Sequence, residues 1–265
     1  VESAILCGLE REVARAPLGE RTSARRQALE KWHGALAALA PGRANRESMR
    51  ALLERSRGVI GSLDAEQWAH MLLDMGGRLL PDGKPAGGIS WGWCRGAGTS
   101  SYPCGLWVLF HTLAARATDE TALPAMDAIR AYVEHFFGCL SCREHFLYMS
   151  DRSSDRIPSF SDGTLWWPRS SSTVPLPSPA RPVAGSACTS LLWLWRAHNI
   201  VNHRLNRTAT APALRAKAQW PAADACPRCR DGRGRWRAGE VAGYLRRTYS
   251  EAEPGRACAV AAADV

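Results

Sequence analysis

Apolar residues recur at helical spacing along the N-terminal third of the chain. Ile5, Leu9 and Val13 are four residues apart, so they share one face of a helix. The stripes that follow predict further helices over residues 23–39 and 46–60, and from a cap at Asp64 onward. This pattern predicts a helix-rich domain over residues 1–80.

The middle of the chain carries two more apolar helices. The first is predicted from Pro103 to about Ala117, where Trp107 and His111 are four residues apart and share a face. The second is predicted over residues 123–138. A His on an apolar face is usually a buried core residue, so this pair alone does not identify a ligand site.

A later apolar helix, over residues 191–205, places polar groups on one face. Its spacing brings together Trp195, His198, Asn199 and Asn202. A plain core face would hold Leu, Ile and Val. An aromatic plane beside hydrogen-bonding groups suits a planar heteroaromatic ligand. The alternative is a polar network between helices.

A Pro- and Gly-rich stretch divides the chain into two predicted parts. Residues 81–93 are the predicted linker and residues 94–250 the second domain, with 150–187 as an insertion loop and 251–265 as a tail. The chain has 265 residues, of which 46% are hydrophobic, which suffices for two modest domains. No stretch approaches the ~20 apolar residues of a membrane span.

Charge and cysteine content narrow the choice of function. The net charge of +9 comes from scattered Arg residues with no aromatic-spaced basic motif, so nucleic-acid binding is not predicted. Nine cysteines favour an oxidising compartment. The glycosylation sequon Asn206-Arg207-Thr208 is compatible with secretion. No partner is predicted for Cys7, Cys188 or Cys258.

The central chemical motif is Cys139-Leu140-Ser141-Cys142, followed by His145. If Cys142 heads a new helical turn, the unpaired amides and the helix dipole stabilise its thiolate. Such a thiol suits electron transfer to an adjacent group. From the residues alone, a redox disulfide, half of a zinc site and a structural disulfide all remain open.

A second pair, Cys226-Pro227-Arg228-Cys229, allows a four-cysteine zinc site in principle. Its distance from Cys142 along the chain far exceeds the usual ~15–20 residues between such pairs. The two pairs also differ in setting, since one follows an apolar helix and the other lies in a Pro-, Arg- and Gly-rich loop. Zinc is therefore the less favoured interpretation.

Four sequence blocks occur in a fixed order. They are Tyr102-Pro103-Cys104-x-Leu106-Trp107-x-Leu109-Phe110-His111, Phe136-Phe137-Gly138-Cys139-x-x-Cys142-x-x-His145-Phe146, Leu192-Trp193-Leu194-Trp195-x-x-His198-Asn199-x-Val201-Asn202-x-Arg204-Leu205, and Gln219-Trp220-Pro221 before Cys226-x-x-Cys229. Together they resemble the C-terminal half of the quiescin sulfhydryl oxidases. The N-terminal helices resemble that family's helix-rich region, a degenerate copy of the oxidase fold without flavin.

The resemblance implies an all-α fold, in which an Erv-type four-helix bundle binds FAD and packs on a second, degenerate helical bundle. It implies that Cys139–Cys142 is the flavin-proximal disulfide, and that Cys94–Cys104 and Cys226–Cys229 are structural. The residues that it places at FAD are Trp107, His111, His145, Trp195, His198, Asn199, Val201, Asn202, Lys217 and Trp220.

The activity implied is thiol oxidation. A dithiol reduces the disulfide at Cys139, Cys142 passes the electrons to FAD, and O2 takes them and yields H2O2. In the family the donor is a thioredoxin-like domain, which these residues lack, and the substrates are reduced protein thiols. A monomer in the secretory pathway, in the ER or Golgi lumen, or outside the cell is expected. The alternative is a non-catalytic helical interaction module with structural disulfides.

Two positions depart from the family pattern. Ser100 stands where the family commonly has an Arg that reaches the FAD phosphates, so Lys217 or a nearby Arg is expected to neutralise them. Ser141 stands where an acidic residue is usual between the two active cysteines.

Overall fold

The computed structural model describes residues 1–15, 23–57, 59, 63–76, 79–81, 102–150, 186–208 and 219–250. These residues are mostly helical, and the only β-type pairing among them is an isolated bridge between Arg230 and Trp236. The prediction of an all-α chain is therefore confirmed. Within these ranges no helix has both the length and the apolar character needed to cross a membrane.

The described helices follow the chain in two groups. The first comprises α1 (Glu2–Cys7), which continues into a π-helical segment (Gly8–Val13), then α2 (Ser23–Leu39), α3 (Arg43–Ser56) and α4 (Ala65–Met75). The second comprises α5 (Tyr102–Arg116), α6 (Asp119–His135), α7 (Leu140–Met149), α8 (Ser186–Thr208), a 3-10 turn (Pro227–Cys229) and α9 (Ala238–Tyr249).

Local signals explain the N-terminal helix boundaries. Gly42 caps α3 with a positive φ of 79°, so this helix begins at Arg43, three residues earlier than predicted. It ends at Ser56 because Arg57 is already extended. The predicted cap at Asp64 is confirmed, since its side chain accepts from the Gln67 amide in a reciprocal capping box.

One compact unit comprises Val1–Leu113 and Pro124–Leu147. At its core Trp32 of α2 is buried and stacks on Tyr132 of α6, with ring centroids 4.4 Å apart. The indole N–H of Trp68 donates to the carbonyl of Leu9 at 2.8 Å, which ties α4 to the π-helical segment. The N-terminal helices and the helices around Cys139 thus share one core. Residues 82–93, nearly all of the predicted linker, lie outside the described ranges, so the predicted division into two domains stays a prediction.

The second compact unit comprises Ala114–Leu123 and Tyr148–Val265, and its described helices are α8 and α9. Helix α8 begins at Ser186, inside the predicted loop 150–187, and the Ala187 amide donates to the Asp119 carboxylate at 2.9 Å. A carboxylate favours a helix N-terminus, which explains the earlier start. Residues 151–185, most of the predicted loop, and the predicted tail 251–265 lie outside the described ranges.

A buried pair of tyrosine hydroxyls packs against the π-helical segment. The hydroxyls of Tyr102 and Tyr132 are 2.5 Å apart. A Cβ atom added to Gly8 would lie 2.8 Å from the Tyr132 hydroxyl and 3.0 Å from the Tyr102 hydroxyl. Because both rings are buried, they have little room to retreat.

We therefore expect Gly8→Ala to lower the free energy of unfolding by about 1–3 kcal/mol, the usual cost of overpacking. The matched control is Gly34→Ala in α2, where a Cβ would meet nothing within 4 Å. That substitution should be neutral or should stabilise by up to about 1 kcal/mol, because Ala favours helix more than Gly does. In denaturant unfolding, Gly8→Ala should be destabilised and Gly34→Ala should not, and equal shifts would contradict the packing at Gly8.

Candidate functional site

Cys139 and Cys142 form a disulfide between α6 and α7, with their Cα atoms 5.3 Å apart. The Arg143 amide donates to the Cys139 carbonyl at 2.9 Å, which opens α7. Cys142 therefore lies in the first turn of a helix, which meets the condition set out from the sequence for a stabilised thiolate. The free amides and the dipole of that turn stabilise a thiolate at Cys142.

The disulfide is accessible to a reaction partner. Both cysteines are half-buried, and the residues between them are exposed, Leu140 with 60% of its surface. The hydroxyl of Ser141 lies 3.8 Å from the Cys139 sulfur. An incoming thiol can reach this pair, as a thiol–disulfide exchange site requires.

The backbone before the disulfide is held by a residue that the sequence analysis did not identify. The Gly138 amide donates to the Glu12 carboxylate at 2.8 Å. Burial raises the pKa of Glu12, while the hydrogen bond from Gly138 and the charge of Arg15 lower it. No local signal marks Glu12, because its partner lies 126 positions away in the sequence.

Aromatic rings of α5 and α7 pack together in the same unit. Trp107 of α5 is half-buried, and its ring stacks near that of the fully buried His111, with centroids 6.1 Å apart. Phe146, one helical turn after Cys142, lies 6.4 Å from Trp107. His145, the residue before Phe146, is exposed. The structure therefore brings Trp107, His111 and Phe146 together on α5 and α7.

In the second unit, the polar face of α8 binds the backbone at Trp220. Asn199 donates to the Trp220 carbonyl and accepts from the Trp220 amide, both at 2.7 Å. The indole N–H of Trp195 donates to the same carbonyl at 2.7 Å. The ring of His198 lies 5.4 Å from that of Trp220. Trp195 and Asn199 therefore hold the backbone at Trp220, and their contact with a ligand stays a prediction.

Cys226 and Cys229 also form a disulfide, with Cα atoms 5.3 Å apart. This pair is buried, with Cys229 at 0% exposure. The following Arg230 lies 4.0 Å from the ring centroid of Trp236. Burial keeps an incoming thiol away, which suits a structural bond. The four cysteines thus form two separate disulfides instead of one shared zinc site.

Only some of the remaining predicted site residues lie in the described ranges. On α8, Val201 is half-buried and Asn202 is buried. Cys104 lies in the first turn of α5, but Cys94, Ser100 and Lys217 lie outside the described ranges, so the Cys94–Cys104 disulfide stays a prediction. Cys7 and Cys188, for which no partner was predicted, are each disulfide-bonded.

Known proteins resemble this chain over most of its length. The Erv1/Alr family model matches residues 104–174. The solved sulfhydryl oxidase fragment of human QSOX1 is 30% identical with a TM-score of 0.69, and the match covers 94% of this chain and 92% of that one.

Curated relatives match a shorter part of the chain. Sulfhydryl oxidase 1 of Gallus gallus is 33% identical over 172 residues, and sulfhydryl oxidase 2 of Mus musculus is 34% identical over 178. Each match covers 61% of this chain and 20% or 22% of the relative. The match therefore spans about a fifth of the length of these relatives.

The Asn199 contacts predict a local effect of substitution. Asn199→Ala leaves the Trp220 amide and carbonyl without their hydrogen bonds to the Asn199 side chain. We therefore expect the free energy of unfolding to fall by about 1–3 kcal/mol. Exchange of the Trp220 amide hydrogen should also accelerate. His203→Ala, on half-buried His203 in the same helix, is the control and should leave that amide unchanged. Equal protection of the Trp220 amide in both variants would contradict the assigned contacts.

Proposed function

Since this chain belongs to the quiescin sulfhydryl oxidase family, with its Erv-type helical fold, we propose that it is an FAD-dependent thiol oxidase. Its reactive group is the Cys139–Cys142 disulfide. The observation that carries this proposal is the position of that pair, half-buried at the N-terminus of α7 within a family of sulfhydryl oxidases. The buried Cys226–Cys229 disulfide has the structural role.

The first step is thiol–disulfide exchange. A substrate thiolate attacks the Cys139 sulfur, the bond between Cys139 and Cys142 breaks, and Cys142 leaves as a thiolate. The N-terminus of α7 stabilises this leaving group, and a more acidic thiol leaves faster. The second substrate thiolate then attacks the mixed disulfide and releases Cys139. The substrate is now oxidised to a disulfide, and Cys139 and Cys142 hold its electron pair.

When bound, FAD would supply the two-electron chemistry that links this electron pair to O2 and yields H2O2. The chemistry of the chain fits such a cofactor in both units. A planar ring system needs flat partners and hydrogen-bonding groups together, as Trp107 beside His111 and His198 beside Trp220 provide. The residues proposed to contact FAD are Trp107, His111, His145, Trp195, His198, Asn199, Val201, Asn202, Lys217 and Trp220.

The expected partners follow from this chemistry. Reduced protein thiols are the proposed substrates. In the family, a thioredoxin-like domain passes their electrons to the flavin-proximal disulfide. An oxidising compartment of the secretory pathway, or the cell exterior, suits both the activity and the nine cysteines. We further propose that the chain acts as a monomer.

Replacing the leaving sulfur tests the reaction. Cys142→Ser should keep the flavin absorbance band but reduce oxygen consumption with dithiothreitol by more than about 100-fold, because no disulfide remains to accept a thiolate. Glu144→Gln, at an exposed position of the same helix, should keep both colour and turnover. Normal turnover by the Cys142→Ser protein would overturn the role given to this disulfide.

Flavin retention tests the cofactor. The purified protein should be yellow, and His198→Ala should weaken FAD binding by about 10-fold, because it removes a ring that could stack on the cofactor. His203→Ala is the control and should retain FAD. The ratio of flavin to protein absorbance after dialysis measures both. A colourless wild-type protein would instead favour a non-catalytic helical module.

A further inference from the structure

The backbone just before Cys139 is held by Glu12, a residue near the start of the sequence. Gly138 directly precedes Cys139, and its amide donates to Glu12 in the π-helical segment at 2.8 Å. The other side of the pair is tied differently. The Arg143 guanidinium donates to the Glu134 carbonyl at 3.4 Å, which links α7 to the end of α6. Glu12 thus holds the backbone that immediately precedes Cys139.

We propose that Glu12 is a positioning residue for the Cys139–Cys142 pair, and that its hold on the Gly138 amide favours the closed disulfide over the dithiol. The inference rests on the proposed thiol oxidase function, to which it adds a residue outside the sequence blocks that carry the family resemblance. Glu12 acts through the backbone of Gly138 and needs no contact with either sulfur.

The position of Glu12 is itself well fixed. The π-helical segment buries Leu9 and Val13 completely, so the backbone that carries Glu12 is anchored in the core. Its carboxylate also acts on the buried tyrosine pair. Burial is the main cause that raises the pKa values of Tyr102 and Tyr132, and the negative charge of Glu12 raises both further. The Glu12 carboxylate thus lies close enough to the tyrosine pair to act on it through its charge.

Glycine at position 138 is matched to this acceptor. A Cβ atom at Gly138 would lie 2.8 Å from the Glu12 carboxylate oxygen, closer than real Cβ contacts come. The backbone at Gly138 does not have a positive φ, so alanine is not excluded there by conformation. The space beside the amide is therefore limited by Glu12 rather than by the loop itself.

The physical consequence concerns the dithiol state. When the disulfide opens, Cys139 regains the freedom of the loop before α7. A backbone held at Gly138 has less freedom to regain, so closing the bond again costs less conformational entropy. Loss of the Glu12 contact should therefore shift the equilibrium toward the dithiol.

Two substitutions at Glu12 separate its geometry from its charge. Glu12→Ala should shift the Cys139–Cys142 equilibrium in a glutathione buffer by about 10-fold toward the dithiol, which is about 30 mV. Glu12→Gln keeps an acceptor oxygen and should stay within about 3-fold of wild type. The control is Glu10→Ala, a half-buried carboxylate of the same π-helical segment whose pKa burial also raises, and it should behave as wild type.

Two measurements are read together. Mass spectrometry after alkylation counts the thiols at Cys139 and Cys142, and amide hydrogen exchange reports on Gly138. Faster Gly138 exchange together with the shifted equilibrium in Glu12→Ala alone supports the proposal. Faster exchange with an unchanged equilibrium overturns it, because the contact is then only structural. An equal shift in Glu10→Ala also overturns it.

Gly138→Ala perturbs the same contact from its other partner, and it alone serves as the test where Glu12→Ala folds poorly. It should displace the carboxylate and shift the equilibrium in the same direction. An unchanged equilibrium in a folded Gly138→Ala protein whose Gly138 amide exchanges faster overturns the proposal. In a protein that already carries Glu12→Ala, the same change should add little, since the clash is gone. Additive shifts would overturn the proposal. If these results hold while the wild type consumes no oxygen with dithiothreitol, the thiol oxidase function fails and the positioning role stands.

Discussion

The stack of Trp32 on Tyr132 joins the N-terminal helices to the helix that precedes Cys139. Trp32 belongs to α2, one of the N-terminal helices, and Tyr132 lies on α6, the helix that precedes the Cys139–Cys142 disulfide. Two large flat rings in contact bury much apolar surface and fix each other's orientation. Because α6 is held at Tyr132, its last turn is fixed as well, where the Phe136 amide donates to the Tyr132 carbonyl at 2.9 Å. The turn at Gly138 starts from that point.

This arrangement changes the role of the N-terminal helices. The sequence predicts no catalytic residue in them, and their effect on the Cys139–Cys142 pair does not require a side-chain contact with either of its sulfurs. They nevertheless supply the π-helical segment, and π-helical turns are often found at functional sites. Here the segment places Gly8 against the tyrosine pair, and its Glu12 carboxylate accepts a hydrogen bond from the Gly138 amide. The N-terminal helices thus help to hold the backbone that precedes the Cys139–Cys142 disulfide.

Local patterns predicted the helices well, and long-range partners poorly. The stripe of Ile5, Leu9 and Val13 and the cap at Asp64 depend on neighbours within a few residues, and both match the structure. The face of α8 was also visible from its spacing, but spacing does not say what a polar group binds. Asn199 binds the Trp220 backbone, a partner set by the fold. The Glu12 contact lay beyond any such pattern.

The two disulfides show how one motif can lie in two different environments. Both close Cys-x-x-Cys loops with the same Cα separation of 5.3 Å, so loop geometry alone does not distinguish them. Their surroundings do. Cys226 and Cys229 are buried, and the residue after them packs on Trp236. Cys139 and Cys142 are half-buried at the start of a helix. Exchange requires an approaching thiolate and a stabilised leaving thiolate, and only the second setting provides both.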